Sequence, residues 1–169
     1  MRRHSPDVPP RVPRDRLSPV LLGGALAGTL DIVYACVFWA VKADVPARRI
    51  FQSVAAGLLG RASFDGGWRT ALLGLVLHYG IALTMAATYA LAAARLPVLV
   101  RRPVVLGAGY GLGLYAVMNY LVVPLSRAGT GSRDRLWTGL SILVHMFLIG
   151  VPIALFARRA RSVGAVAAG

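Results

Sequence analysis

Leu17 to Val41 is an almost unbroken apolar run with one acid, Asp31, near its middle. At 1.5 Å per residue, a helix of this length crosses the ~30 Å hydrocarbon core of a bilayer. An Asp at the centre of such a helix costs roughly 2.5–3.5 kcal/mol on insertion scales, and each Leu, Ile, Phe or Val returns about 0.3–0.6. The aliphatic residues between Val20 and Val41 therefore offset the acid, and the span inserts. Gly24, Ala27, Gly28 and Ala35 lie three, four or seven residues from Asp31, on its own face of the helix. Asp31 thus shares a surface with a Gly24-x-x-x-Gly28 pair, the kind of surface on which membrane helices approach closely. The acid is expected to look into a bundle, away from lipid.

Three more apolar runs follow, at about 70–94, 103–125 and 136–157. With the first, at about 17–41, they predict an all-α fold: a polytopic membrane four-helix bundle occupying residues 17–158. The content of 57% hydrophobic residues is too high for an ordinary soluble domain. A net charge of +13 would suit nucleic acid if the basic residues formed a patch. They sit instead in every segment between apolar runs, as the positive-inside rule and headgroup anchoring require. The expected partner is the lipid bilayer and not nucleic acid; the small-residue helix faces would also allow a homo-oligomer. Cys36 is alone and can make no internal disulfide.

Residues 1–16 carry Pro6, Pro9, Pro10 and Pro13 and read as a disordered tail. Residues 159–169 read as a C-terminal tail. The first run is too long for a cleavable signal and is expected to be retained. Between spans 1 and 2, Pro46 and Gly60 bracket a helix at about 46–60. Ile50, Phe51, Val54 and Leu58 fall on one side of it, and Arg48, Arg49, Gln52 and Ser53 on the other. This pattern predicts an interfacial amphipathic helix, with a shallow re-entrant segment as its rival. With the amino terminus inside, eleven basic residues flank the spans on the inner side and eight on the outer. Both termini are then cytoplasmic, and Trp39, Trp68 and Trp137 all fall at the outer boundary. Arginine and aspartate dominate the charged residues, a bias that suggests a GC-rich bacterial genome and hence the bacterial inner membrane.

Polar residues inside the spans collect at one depth. Measured from the inner edge, Asp31 lies at roughly 18 Å, Asn119 at roughly 22 Å, His78 at roughly 20 Å and His145 at roughly 18 Å. Ser141 precedes His145 by one turn, and Tyr115 precedes Asn119 by one turn. Asp31, His78, Asn119 and His145 form a candidate intramembrane cluster, with Tyr34, Tyr115 and Ser141 in support. An unpaired carboxylate at that depth is costly, so Asp31 is expected to be protonated or paired, with His78 and His145 as partners. Ionisable groups in lipid commonly mark a pathway or site. The rival role is hydrogen bonding between helices, worth about 0.6 kcal/mol per contact.

The sequence gives little support to an enzyme and assigns no catalytic residue. It has no zinc-protease motif, no cysteine pair and no Glu, so no metal site is expected. Gly107-x-Gly109-x-Gly111-x-Gly113 misses the dinucleotide spacing, because Leu112 and Leu114 hold the third-glycine positions; close helix packing is the expected role. Ala27-Gly28-Thr29-Leu30-Asp31-Ile32, Arg49 to Gly60, Leu77-His78-Tyr79, Met118-Asn119-Tyr120, Val123 to Ser126 and His145-Met146 together resemble an uncharacterised family of small four-span bacterial integral membrane proteins. The resemblance runs from about Val20 to Arg158. It implies a four-span inner-membrane protein and assigns no catalytic residue.

Two specific roles follow from the polar layer. One is proton-coupled or small-solute transport, with Asp31 carrying the proton and His78 and His145 as relay or pairing partners. The other is a haem-binding electron carrier with His78 and His145 as axial ligands; otherwise no cofactor is expected. A structural or partner-binding subunit, in which the layer only fixes helix register, is the third reading.

Overall fold

A computed structural model describes residues 17–129, 131–132 and 134–166, so the expected disorder of residues 1–16 lies outside the described residues. These residues form helices and no strand. α1 (Leu17–Ala43), α3 (Gly67–Arg95), α5 (Pro103–Leu125) and α6 (Arg135–Ser162) are long and apolar enough to cross a membrane. The protein is a multi-pass membrane protein. α2 (Ala47–Leu59) lies between the first two spans, and the short α4 (Val98–Arg101) lies between α3 and α5. Each span exceeds its expected bounds by a few residues, except α5, which matches them. The largest departure is at the C-terminus, where helical backbone continues to Val166 instead of yielding to a tail at Arg158. Arginine is a good helix former, and Arg161 gives the extension an anchor by donating to the Ala93 carbonyl of α3.

Close packing between spans depends on residues without bulk. In α1, a Cβ at Gly24 would stand 3.1 Å from Cα of Leu83 in α3, and one at Gly23 would stand 2.7 Å from Cβ of Phe156 in α6. Between α5 and α6 the backbones themselves meet. A Cβ at Gly111 would land on the His145 carbonyl oxygen, and one at Gly150 on the Gly107 carbonyl oxygen. Only alternate members of the glycine run take part, since Gly109 and Gly113 face open space.

α6 is the hub of the bundle. Its second half packs against α1, α3 and α5, whereas its first ten residues touch them sparsely. The half of the bundle at the start of α1 and the end of α6, the inner half of the expected topology, is accordingly solid. Ala27, Tyr89, Ile153 and Ala154 are each no more than 2% exposed and form one apolar cluster with Ala86 and Ala157. Tyr89 donates to the Leu99 carbonyl at 2.9 Å, and Tyr110 donates to the Met85 carbonyl at 2.8 Å, which closes this half with satisfied hydroxyls.

The outer half is built differently. Asp44, at φ +52°, takes the left-handed conformation that Asp tolerates and turns the chain from α1 into α2. Gly60, at φ +64°, ends α2 and leads into a short 3-10 turn, Gly60–Phe64. α2 lies on α3, where Gly74 leaves room for the Phe51 carbonyl. The Gly57 carbonyl accepts from Arg127 N–H at 3.0 Å, so the far end of α2 is tied to the α5–α6 loop. α2 therefore crosses the outer end of the bundle, with Arg48 and Arg49 exposed.

The expected division of its faces needs correcting. Gln52, placed on the polar face with Arg48 and Arg49, is 1% exposed. The cause is local: Gln52 Nε2 donates to the carbonyls of Phe64 and Gly67, so the following turn folds over its amide.

At the outer rim, the Lys42 ammonium meets the Asp134 carboxylate at 2.7 Å. The same carboxylate caps α6 by accepting from Trp137 N–H at 2.8 Å. The Lys42 side chain, followed by the Trp137 N–H, holds the Asp134 carboxyl below its usual range.

Two predictions follow from these contacts. Gly111→Ala should destabilise the bundle by about 1–3 kcal/mol through overpacking against α6. Gly113→Ala should change stability by less than about 0.5 kcal/mol, both read from unfolding in mixed micelles. The depressed Asp134 value makes its contribution complete above the ordinary carboxylate pKa of about 3.9, with loss as pH falls through the lower folded value. The melting midpoint of the wild type should drop across that window. Asp134→Asn, which keeps a capping side chain but no charge, should give a flatter profile.

Candidate functional site

Where the half at the start of α1 and the end of α6 is packed, the half beneath α2 holds a partly open cavity of about 250 Å³. All four residues of the expected polar layer line it: Asp31 from α1, His78 from α3, Asn119 from α5 and His145 from α6. Of the three supporting residues, Ser141 lines the cavity. Tyr34 does not line it; its hydroxyl lies 3.3 Å from Ser141 Oγ. Tyr115 is buried and sets its ring edge against His145, with centroids 5.4 Å apart at 85°. α2 roofs the chamber with Ile50, Ser53 and Val54.

Each imidazole is fixed by a backbone carbonyl. His78 Nε2 lies 2.8 Å from the Gly28 carbonyl oxygen of α1. His145 Nδ1 lies 2.8 Å from the Ser141 carbonyl oxygen of its own helix. A carbonyl only accepts, so these nitrogens carry the protons. A neutral ring is then left with His78 Nδ1 or His145 Nε2 as its acceptor. Asn119 spends one N–H in the same manner, donating to the Tyr115 carbonyl at 3.0 Å.

This arrangement corrects one expectation. His78 and His145 do not pair with Asp31: among the described residues no hydrogen bond and no ion pair reaches its carboxylate. The imidazole protons are already committed to Gly28 and Ser141.

Wide turns in the two helices bring the polar groups inward. Met118–Val122 in α5 and His145–Gly150 in α6 are π-helical. Val123 N–H reaches back five residues to the Met118 carbonyl, and Val151 N–H does the same to the Met146 carbonyl. Each wide turn ends two residues before a proline, Pro124 or Pro152, that has no N–H to offer a regular helix. Asn119 and His145 both sit within these turns.

Trp39 and Trp137 also line the cavity, their rings 5.4 Å apart, although their position at the membrane boundary had suggested only anchoring. The spacing held the signal. Asp31, Ala35 and Trp39 step by four along α1, and Trp137, Ser141 and His145 step by four along α6; all six line the chamber.

Comparison with known proteins finds no matching family model, no matching curated protein and no matching solved structure. Among the described residues no group of three or more His, Cys, Asp or Glu side chains could hold a metal ion. A haem between His78 and His145 does not fit. The cavity, at 250 Å³, is below the usual ligand-pocket range of about 300–1,000 Å³, and His78 Nε2 is turned toward the Gly28 carbonyl.

The histidine contacts are polar but modest. Replacing His78 by Phe removes one interhelical hydrogen bond, worth about 0.6 and at most about 1.7 kcal/mol in membrane proteins. The variant should stay folded and unfold with a stability loss of that size, measurable by denaturant titration in micelles.

Proposed function

We propose that the protein is a proton-coupled small-solute transporter of the bacterial inner membrane, with both termini cytoplasmic and Asp31 as the proton-carrying group. One observation carries this reading: a lone intramembrane carboxylate lines a chamber and has no hydrogen-bond or ion-pair partner among the described residues. A residue retained only to hold helices together would spend its oxygens on neighbouring helices. Asp31 does not, so its insertion cost is left for something that enters the cavity.

The asymmetry of the bundle supports the same reading. A solid inner half beneath a hollow, roofed outer half is the arrangement of a transport site closed toward the cytoplasm. His78 and His145, each with one free ring nitrogen on the chamber, supply sites where a proton leaving Asp31 can be received.

The test is solute-driven proton movement in proteoliposomes loaded with a pH-sensitive dye and challenged with small acids, polyols and amines. The wild type should move protons above empty vesicles with at least one class. Asp31→Asn should reduce that flux by about ten-fold or more while keeping its helical signal and monodispersity. Equal flux in Asp31→Asn, or none in the wild type for every class, rejects transport.

A further inference from the structure

Most of the polar side chains that line the chamber can accept a hydrogen bond. Asp31 offers two unengaged oxygens. His78 and His145 have turned their protons to carbonyls, leaving one acceptor nitrogen each in the neutral ring. Ser53 donates its hydroxyl to the Ile50 carbonyl at 2.6 Å and keeps only lone pairs. Asn119 retains a spare N–H beside its carbonyl oxygen. The indole N–H groups of Trp39 and Trp137 also donate to nothing among the described residues, and the Ser141 hydroxyl is engaged with Tyr34. In a chain with a formal net charge of +13, no Lys or Arg lines the cavity, and Asp31 is its one acidic residue.

A site of acceptors around one carboxylate, with aromatic rings in its wall, is complementary to a cation carrying several N–H donors. An anion would meet the carboxylate with no compensating charge, and a neutral solute would leave it unpaired. The rings of Trp39 and Trp137 favour a cation at the same place. We infer that the chamber binds a small primary ammonium group seated on the Asp31 carboxylate; this rests on reading the cavity as the protein's solute site. A soluble alkylamine and the headgroup of phosphatidylethanolamine both carry that group.

The test uses the full chain in nanodiscs of phosphatidylcholine and phosphatidylglycerol, with Trp68→Phe to silence the exposed tryptophan, which is 62% exposed. Trp39 and Trp137 then report on the chamber. Titration with n-butylammonium should change their fluorescence saturably, whereas butyrate and butan-1-ol should not. n-Butyltrimethylammonium, which has the charge without the N–H donors, should bind about ten-fold or more weakly. Asp31→Asn should weaken n-butylammonium binding by about ten-fold or more. Ala35→Leu, which fills the space between Asp31 and Trp39 but keeps the acid, should also block it; this variant decides the matter if Asp31→Asn misfolds.

An equal response to butan-1-ol or butyrate, equal binding of the trimethylated ion, unchanged binding in the two variants, or no response to n-butylammonium each overturns the inference. Weaker n-butylammonium binding when phosphatidylethanolamine is added supports an ammonium site filled by the headgroup; unaltered binding supports one filled by the soluble amine. Saturable binding without proton flux in vesicles upholds the ammonium site and removes transport. Asp31-dependent flux with no n-butylammonium response does the reverse.

Discussion

Backbone-to-backbone contact between α5 and α6 is the constraint from which the rest of the bundle follows. Lipid tails are as apolar as leucine, so burial from water supplies no force between helices; close van der Waals contact must supply it. Gly107, Gly111 and Gly150 allow two main chains to touch, and the His145 carbonyl stands in that contact. The seam therefore does more than join two helices. It fixes the backbone of a residue whose ring faces the chamber, and Tyr115, one turn beyond Gly111, holds the ring edge-on.

The two wide turns are the second consequence of placing polar groups in this setting. Proline inside a membrane helix removes a donor that water cannot replace. Both α5 and α6 answer by letting an N–H reach back five residues, which locally widens and underwinds the helix. The effect on α6 is visible in its inward-facing residues: Trp137, Ser141, His145, Ile149, Ile153 and Ala157 step by four. In a regular helix of 3.6 residues per turn, such a stripe would drift by about 200° over this length. The π-turn at His145–Gly150 recovers part of the drift and keeps both ends of the stripe turned inward.

Much of this was legible in the sequence, because a helix in a membrane converts residue number into depth at a fixed rise. That is why Asp31, His78, Asn119 and His145 were expected at one level and line one cavity. The Gly24 and Gly28 contacts were legible for a related reason, since spacing by four selects one face. What failed depended on partners remote in the chain. Gln52 looked solvent-facing because nothing in its helix shows that the Phe64–Gly67 turn folds over it. The expected Asp31–His pairing failed because the histidine protons go to main-chain carbonyls, which a residue list does not display. Lys42 and Asp134 stand at opposite ends of the membrane domain in sequence, and only the folded bundle brings them together. The period of four and the prolines two residues beyond each wide turn were the available signals for the π-turns.

A wide turn is a stretch of helix that holds one residue more over nearly the same angle. Losing a single residue from the wide turn of α6 would therefore restore regular winding and leave the segments on either side close to their present phase. Trp137 and Ser141 would still face the hollow, and the tight junction around Ile153, Ala154 and Ala157 would keep its partners. The wide turn is thus the place in α6 where a one-residue deletion disturbs the helix least.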